Sequence, residues 1–194
     1  MSNESKGISM DSIIQSFFLV LASEMGDKTQ LLALVLATRF KKPWTIMLGI
    51  LIATLLNHGL ASWAGGWVST VISPLYLKWI LGGIFIAFAF WILIPDKDEG
   101  MGEESKYGAL VTTIVTFFLA EMGDKTQLAT VALGAKFASP ILVTVGTTLG
   151  MLGADGLAVF FGEKLTEKIP MKWIRIFACV LFILFGLGII LVKN

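Results

Sequence analysis

Four acidic residues, Glu24, Asp27, Glu121 and Asp124, recur at one spacing in two identical heptapeptides, Glu-Met-Gly-Asp-Lys-Thr-Gln, at Glu24–Gln30 and Glu121–Gln127. Each heptapeptide sits near the middle of an apolar stretch. Charged side chains deep in such a stretch are costly, and where they persist they mark ion or proton pathways. If the stretches are helical, the glutamate and aspartate of each motif lie three residues apart and share one face. Should the two helices meet, four carboxylates converge, and all four cannot stay ionised without compensation. The compensation is a bound cation or bound protons, and a site that uses either in turn meets the minimum requirement for cation/proton exchange. Carboxylate oxygens suit hard divalent ions such as calcium, magnesium and manganese. Gln30, Gln127, Thr29 and Thr126 add neutral oxygens within the same motifs.

The remaining motif residues admit more than one reading. Lys28 and Lys125 lie about 40° around a helix from their own glutamates, so each is expected to neutralise Glu24 or Glu121, or to exchange carboxylate partners as a metal leaves. Gly26 and Gly123 either loosen the helix and free a carbonyl or let another helix approach closely. Met25 and Met122 point about 100° away from the glutamates, so core packing is expected of them rather than metal ligation. A second set of polar groups lies in the following apolar stretches: Asn57 and His58 in the first half, Asp155 in the second. Asn57 and Asp155 are candidate ligands. His58 and Asp155 are candidates for proton coupling or charge balance, with helix-to-helix hydrogen bonding the alternative for the histidine.

These residues need a scaffold, and composition says which kind. Of 194 residues, 56% are hydrophobic and 15% charged, with a mean hydropathy of +0.82. A soluble domain carries more charge. Six stretches approach the length of a membrane span, at roughly 12–38, 44–68, 74–94, 109–135, 140–162 and 172–192. The predicted fold is an all-α integral membrane domain. The net charge of +1 suggests no nucleic-acid partner. Cys179 is the single cysteine, so no internal disulfide forms, and it is expected to pack as a small apolar residue. The N-terminus lacks the basic start and cleavage site of a signal peptide, so the first stretch is expected to be retained.

Adding 97 to a residue number in the first half reaches its counterpart in the second: Phe40 to Phe137, Pro43 to Pro140, Gly49 to Gly146, Gly59 to Gly156. The chain therefore divides into a three-span repeat at 1–94, an acidic linker at 95–108 and a second three-span repeat at 109–194. Three is odd, so the second repeat is predicted to be inverted about an axis in the membrane plane. Under the same offset His58 meets Asp155, which breaks the symmetry. The linker carries acids but not the ligand spacing of a helix-loop-helix calcium site, and reads as a tether. Nine basic residues (Arg39, Lys41, Lys42, Lys97, Lys106, Lys164, Lys168, Lys172, Arg175) flank one side, against four (Lys6, Lys78, Lys136, Lys193) on the other. The richer side is expected to be cytoplasmic, with both termini outside. Gly146, Gly150 and Gly153 form a small-residue stripe suited to close helix contact. Trp44, Trp79, Trp91 and Trp173 lie near span ends, as aromatic belts do.

The doubled Glu-x-Gly-Asp-Lys-Thr in a chain of two three-span halves resembles the UPF0016 family, the group of Gdt1-type Golgi proteins and bacterial manganese exporters. The similarity covers essentially the whole chain. It implies a secondary transporter of manganese(II), calcium or both, exchanged for protons, with Glu24, Asp27, Glu121 and Asp124 as the ion-binding carboxylates and Lys28, Thr29, Lys125 and Thr126 completing the motifs. The compact loops look like a bacterial member in the inner membrane, for which manganese export is expected. No cofactor beyond the transported ion is expected. The rival readings are a calcium/proton antiporter, a passive cation channel with acidic rings, and an intramembrane aspartyl protease using Asp27 and Asp124 as a dyad. No nucleophile–base set or phosphate loop is present, so an enzyme is not expected.

Overall fold

A computed structural model describes residues 3–94, 108–162 and 171–191, with the side chains of 3–9, 171 and 174 excepted. The linker at 95–107 lies outside these residues, as do Lys97, Lys106, Lys164, Lys168 and Lys193 of the charge comparison. The described residues form eight helices: α1 (Asn3–Glu24), α2 (Lys28–Phe40), α3 (Pro43–Val71), α4 (Pro74–Ile92), α5 (Ala109–Glu121), α6 (Lys125–Phe137), α7 (Pro140–Phe161) and α8 (Met171–Leu191). Three of them, α3, α4 and α7, are long and apolar enough to cross a membrane. Helix α5 and residues 175–191 of α8 are shorter apolar helices.

The expected spans at 12–38 and 109–135 are not continuous helices. Each breaks at its motif, into α1 and α2 and into α5 and α6. The break is local in origin: Gly26 and Gly123 take φ of +78° and +79°, a region that residues with a Cβ enter only at a cost. Asp27 and Asp124 follow in extended backbone and serve as the N-caps of α2 and α6. The repeat also shows in the other helix boundaries. Pro43 and Pro140 open α3 and α7 at the position where a missing N–H costs nothing. Lys41 and Ala138 close α2 and α6 in the left-handed region.

Close packing at glycine sets the helix pairs. A Cβ on Gly146 would lie 2.5 Å from the Ile13 carbonyl oxygen, and one on Gly150 2.6 Å from that of Phe17. The small-residue stripe of α7 therefore seats α1 backbone to backbone, and because the contacts advance together the two helices run parallel. Helix α3 is likewise parallel to α5 and α6: Gly49 meets Thr113, Asn57 meets Phe118 and Gly65 meets Val131. Helices α4 and α8 run antiparallel, with Gly82 against Gly186 and Phe85 against Phe182. Two apolar clusters result. One joins α4, α6 and α8 with residues of α1 and α7 and contains Cys179, a buried free thiol; the other joins α1, α2, α3, α5 and α7. Large apolar side chains cover the outside, including Trp44, Trp79, Trp91 and Trp173 near helix ends and Trp63 and Trp67 on α3.

Candidate ion site at the two helix breaks

The breaks bring the two motifs together. Glu24 ends α1 and Glu121 ends α5, and both are fully buried. Carboxylate oxygens of Glu24, Glu121 and Asp124 all lie within 4.8 Å of one another. Asp27 is buried but outside that trio; its Oδ1 lies 3.0 Å from Lys125 Nζ. The expectation that each glutamate and aspartate share a helical face is corrected by this geometry. A positive φ intervenes between them, so the glutamate closes one helix and the aspartate opens the next.

The glycine alternatives resolve the same way. Gly123 has no atom within 4 Å of where a Cβ would stand, so it is kept for its backbone conformation and not for close contact. Both glutamines brace the break. Gly26 N–H donates to Gln30 Oε1 at 2.9 Å, and Gly123 N–H to Gln127 Oε1 at 2.7 Å. Gln30 Nε2 also donates to the Ala154 carbonyl at 2.7 Å, tying the first motif to α7. Arg175 of α8, counted in the sequence only as a loop cation, donates to the Gly26 carbonyl at 3.4 Å. Sequence reasoning missed it. The only signal was its counterpart under the slipped register of the third spans, the apolar Leu81.

The lysines reach aspartates beyond the partners expected of them. Their ion pairs cross between motifs: Lys28 Nζ lies 3.5 Å from Asp124 Oδ1, and Lys125 from Asp27 as given above. The helix breaks place the starts of α2 and α6 so that each lysine reaches the aspartate of the opposite motif. Glu24 is held by hydroxyls instead. Thr29 Oγ1 donates to its Oε2 at 2.6 Å, and Thr126 Oγ1 donates to its Oε1. Among the described residues neither oxygen of Glu121 has a hydrogen-bond partner, and Asp124 Oδ2 has none. Those oxygens face the gap between the motifs without competition from the protein.

Of the second set of polar residues, Asn57 and Asp155 reach this gap. Asn57 Nδ2 donates to the Phe118 carbonyl at 3.0 Å and its Oδ1 accepts from Gln127 at 3.5 Å, so its amide braces α3 against the second motif. Asp155 is fully buried on α7, with both oxygens unpartnered among the described residues, and lies within Coulombic range of Glu24 and Glu121. His58 is fully buried on α3, and neither ring nitrogen has a partner among the described residues. Met122 is 55% exposed, which corrects the expectation of core packing; it turns away from the carboxylates although the helix is broken. Met25 is half-buried, its sulfur 3.9 Å from Gln30 Nε2. The donor set around the gap is therefore all oxygen, the chemistry of a hard divalent cation.

Half-helix ends aimed into an apolar core are a known way of presenting backbone charge to an ion. The C-termini of α1 and α5 bring partial negative charge beside the carboxylates, and the N-termini of α2 and α6 bring partial positive charge beside the aspartates.

Comparison with known proteins agrees with this chemistry. A family model described as "Divalent cation/proton antiporter GDT1" matches residues 12–100 and 109–193. A Vibrio cholerae protein named "Putative manganese exporter" is 46% identical over 180 residues, covering 92% of this chain and 90% of that one. A GDT1-like protein of Synechocystis is 26% identical over 87% of this chain and 91% of its own length, and GDT1-like protein 3 of Arabidopsis thaliana 26% identical over 92% and 70%. No solved structure matches the chain. With the family model spanning both motifs and reaching into all eight helices, the chain belongs to the GDT1 family of divalent cation/proton antiporters, which are membrane transporters.

Proposed function

We propose that this chain exports manganese(II) in exchange for protons, binding the ion between the two motifs through Glu24, Glu121 and Asp124. The observation that carries the reading is the trio of buried carboxylates within 4.8 Å of one another, with Glu121 free of protein hydrogen bonds among the described residues. Metal and protons compete for these oxygens. When the ion is bound it balances their charge; when it leaves, protons take its place, because three carboxylates this close and this dry do not all stay ionised. Asp27 stays compensated by Lys125, and Lys28 holds Asp124 when the ion is absent. Asp155 sits in the second rank, available as a further ligand or proton acceptor. Gln30, Gln127 and Asn57 position the breaks.

The scaffold we propose is six spans in two inverted repeats, 1–94 and 109–194, with α1–α2 and α5–α6 each forming one broken span. The parallel packing of α1 on α7 and of α3 on α5–α6 supports it, since each broken span lies along the second span of the other half. Alternating access then comes from rocking the halves about the shared site. The bias of basic residues supports cytoplasmic loops after the first, third and fifth spans and both termini outside a bacterial inner membrane. The ion enters from the cytosol and leaves outward as protons return.

The all-oxygen donor set favours one second reading, a calcium/proton antiporter, because no soft ligand discriminates against calcium. Purified protein in liposomes, given manganese, calcium or magnesium with and without a pH gradient, decides between them. Asp124→Asn is expected to abolish gradient-driven accumulation of the preferred ion. Undiminished accumulation in that variant removes Asp124 from the site.

A further inference from the structure

The α3–α7 interface carries a polar column on one side of the molecule's centre only. Ser62 Oγ and Thr144 Oγ1 hydrogen-bond at 2.6 Å, and one turn further out a Cβ on Gly66 would meet Pro140. These two contacts fix an antiparallel register. One turn inward along each helix, His58 comes level with Thr148, and one turn further Thr54 stands at the centre. His58, Thr54 and Thr148 are each at least 97% buried. His58 Nδ1 and Nε2, Thr54 Oγ1 and Thr148 Oγ1 have no protein partner among the described residues. The α3 face that holds His58 continues to Ser62, which meets α7, and to Gly65, which meets α6, so the imidazole lies in the wedge between those helices. Asn57, its neighbour, bonds the Phe118 carbonyl one turn before Glu121, which brings the His58 level of the column next to the second motif.

Pseudo-symmetry makes the column conspicuous. Adding 97 to Thr54 and Ser62 gives Met151 and Val159; subtracting it from Thr144, Thr147 and Thr148 gives Met47, Ile50 and Leu51. The equivalent strip on the other side of the centre is thus apolar apart from Asp155. Helix contact alone asks for nothing polar here, since the apolar strip packs the same two helices. Buried polar atoms without protein partners are satisfied by water.

We propose that this column, Ser62–Thr144, His58–Thr148 and Thr54, is the path by which protons travel between the membrane face bearing Pro140 and the carboxylate cluster, separate from the path of the metal. The inference rests on the proposed function for the cluster itself. Each hydroxyl accepts a proton on its lone pair and passes on its own, directly from Ser62 to Thr144 and elsewhere to a bridging water, which accepts that proton and releases one of its own to the next group. His58 takes a proton on one ring nitrogen and releases the proton of the other, so charge and atoms balance at every step. Under the proposed orientation the path opens outward, the direction from which protons must return. The apolar strip seals the cytosolic side against leak.

Two fluxes in liposomes separate this role from a structural one. Exchange of radioactive manganese for manganese at equal pH needs the ion site and the rocking motion but no net proton movement. Accumulation driven by a pH gradient needs all three. In His58→Leu and in the near-isosteric Thr148→Val, gradient-driven accumulation is expected to fall roughly a hundredfold, the low end of what a positioned proton-transfer group contributes, with exchange at the wild-type rate; Thr148→Ser is expected to restore it. Equal slowing of both fluxes, or unslowed accumulation in Thr148→Val, overturns the path while leaving the ion site standing. Failure of the wild-type protein to exchange manganese overturns the ion site and the path together.

Discussion

Replacing Gly123 with alanine tests the broken helix through the sign of its effect. The residue sits at φ +79°, and no atom lies within 4 Å of a Cβ placed there. Packing therefore contributes nothing, and the cost is the strain of an L-residue in the left-handed region, about 1–2 kcal/mol. That lowers the ratio of folded to unfolded protein about 5- to 30-fold. A continuous helix through the motif makes the opposite prediction, because alanine in a helix interior is favoured over glycine by about 1 kcal/mol. Equilibrium unfolding of purified protein in detergent reads the difference directly. Gly123→Asn serves as the control, since asparagine enters this region more readily than alanine and is expected to lose less stability. Saturating manganese is expected to recover part of the loss in both variants, as a ligand that binds only the broken geometry must. An alanine variant as stable as wild type, or more so, refutes the reasoning.

Lys125→Met removes the cation 3.0 Å from the buried Asp27, and losing one partner of such a pair is expected to cost about 3–5 kcal/mol; thermal melting in detergent checks it, and added divalent cation should raise the melting temperature more in the variant than in wild type. Gly150→Ala forces a Cβ to within 2.6 Å of the Phe17 backbone. Since neither backbone can yield cheaply, the α1–α7 pair should separate at a cost of about 1–3 kcal/mol, seen as a lowered unfolding midpoint.

The doubled motif, the offset of 97 and the glycine stripe of α7 were all legible in the sequence, because each is a matter of residue type at a spacing. The break at Gly26 and Gly123 was not. A glycine in mid-span reads equally as close contact and as a hinge, and only the positive φ separates them. The lysine partners were illegible for a related reason: spacing along one helix names only neighbours on that helix, and these ion pairs join residues of opposite motifs. Gln30 and Gln127 looked like spare oxygen ligands, yet an interrupted helix exposes N–H groups that need acceptors, and the nearest amide supplies them. Arg175 was hidden because its role is to reach a carbonyl that exists as a free acceptor only once the helix has parted.

The crossed ion pairs also bear on how the two halves come together. Each half contributes a lysine whose counter-ion belongs to the other half, and an aspartate that waits for the other's lysine. The two halves share these charges. Cut apart and expressed as separate polypeptides, the two would have to find each other before these charges could meet as they do here.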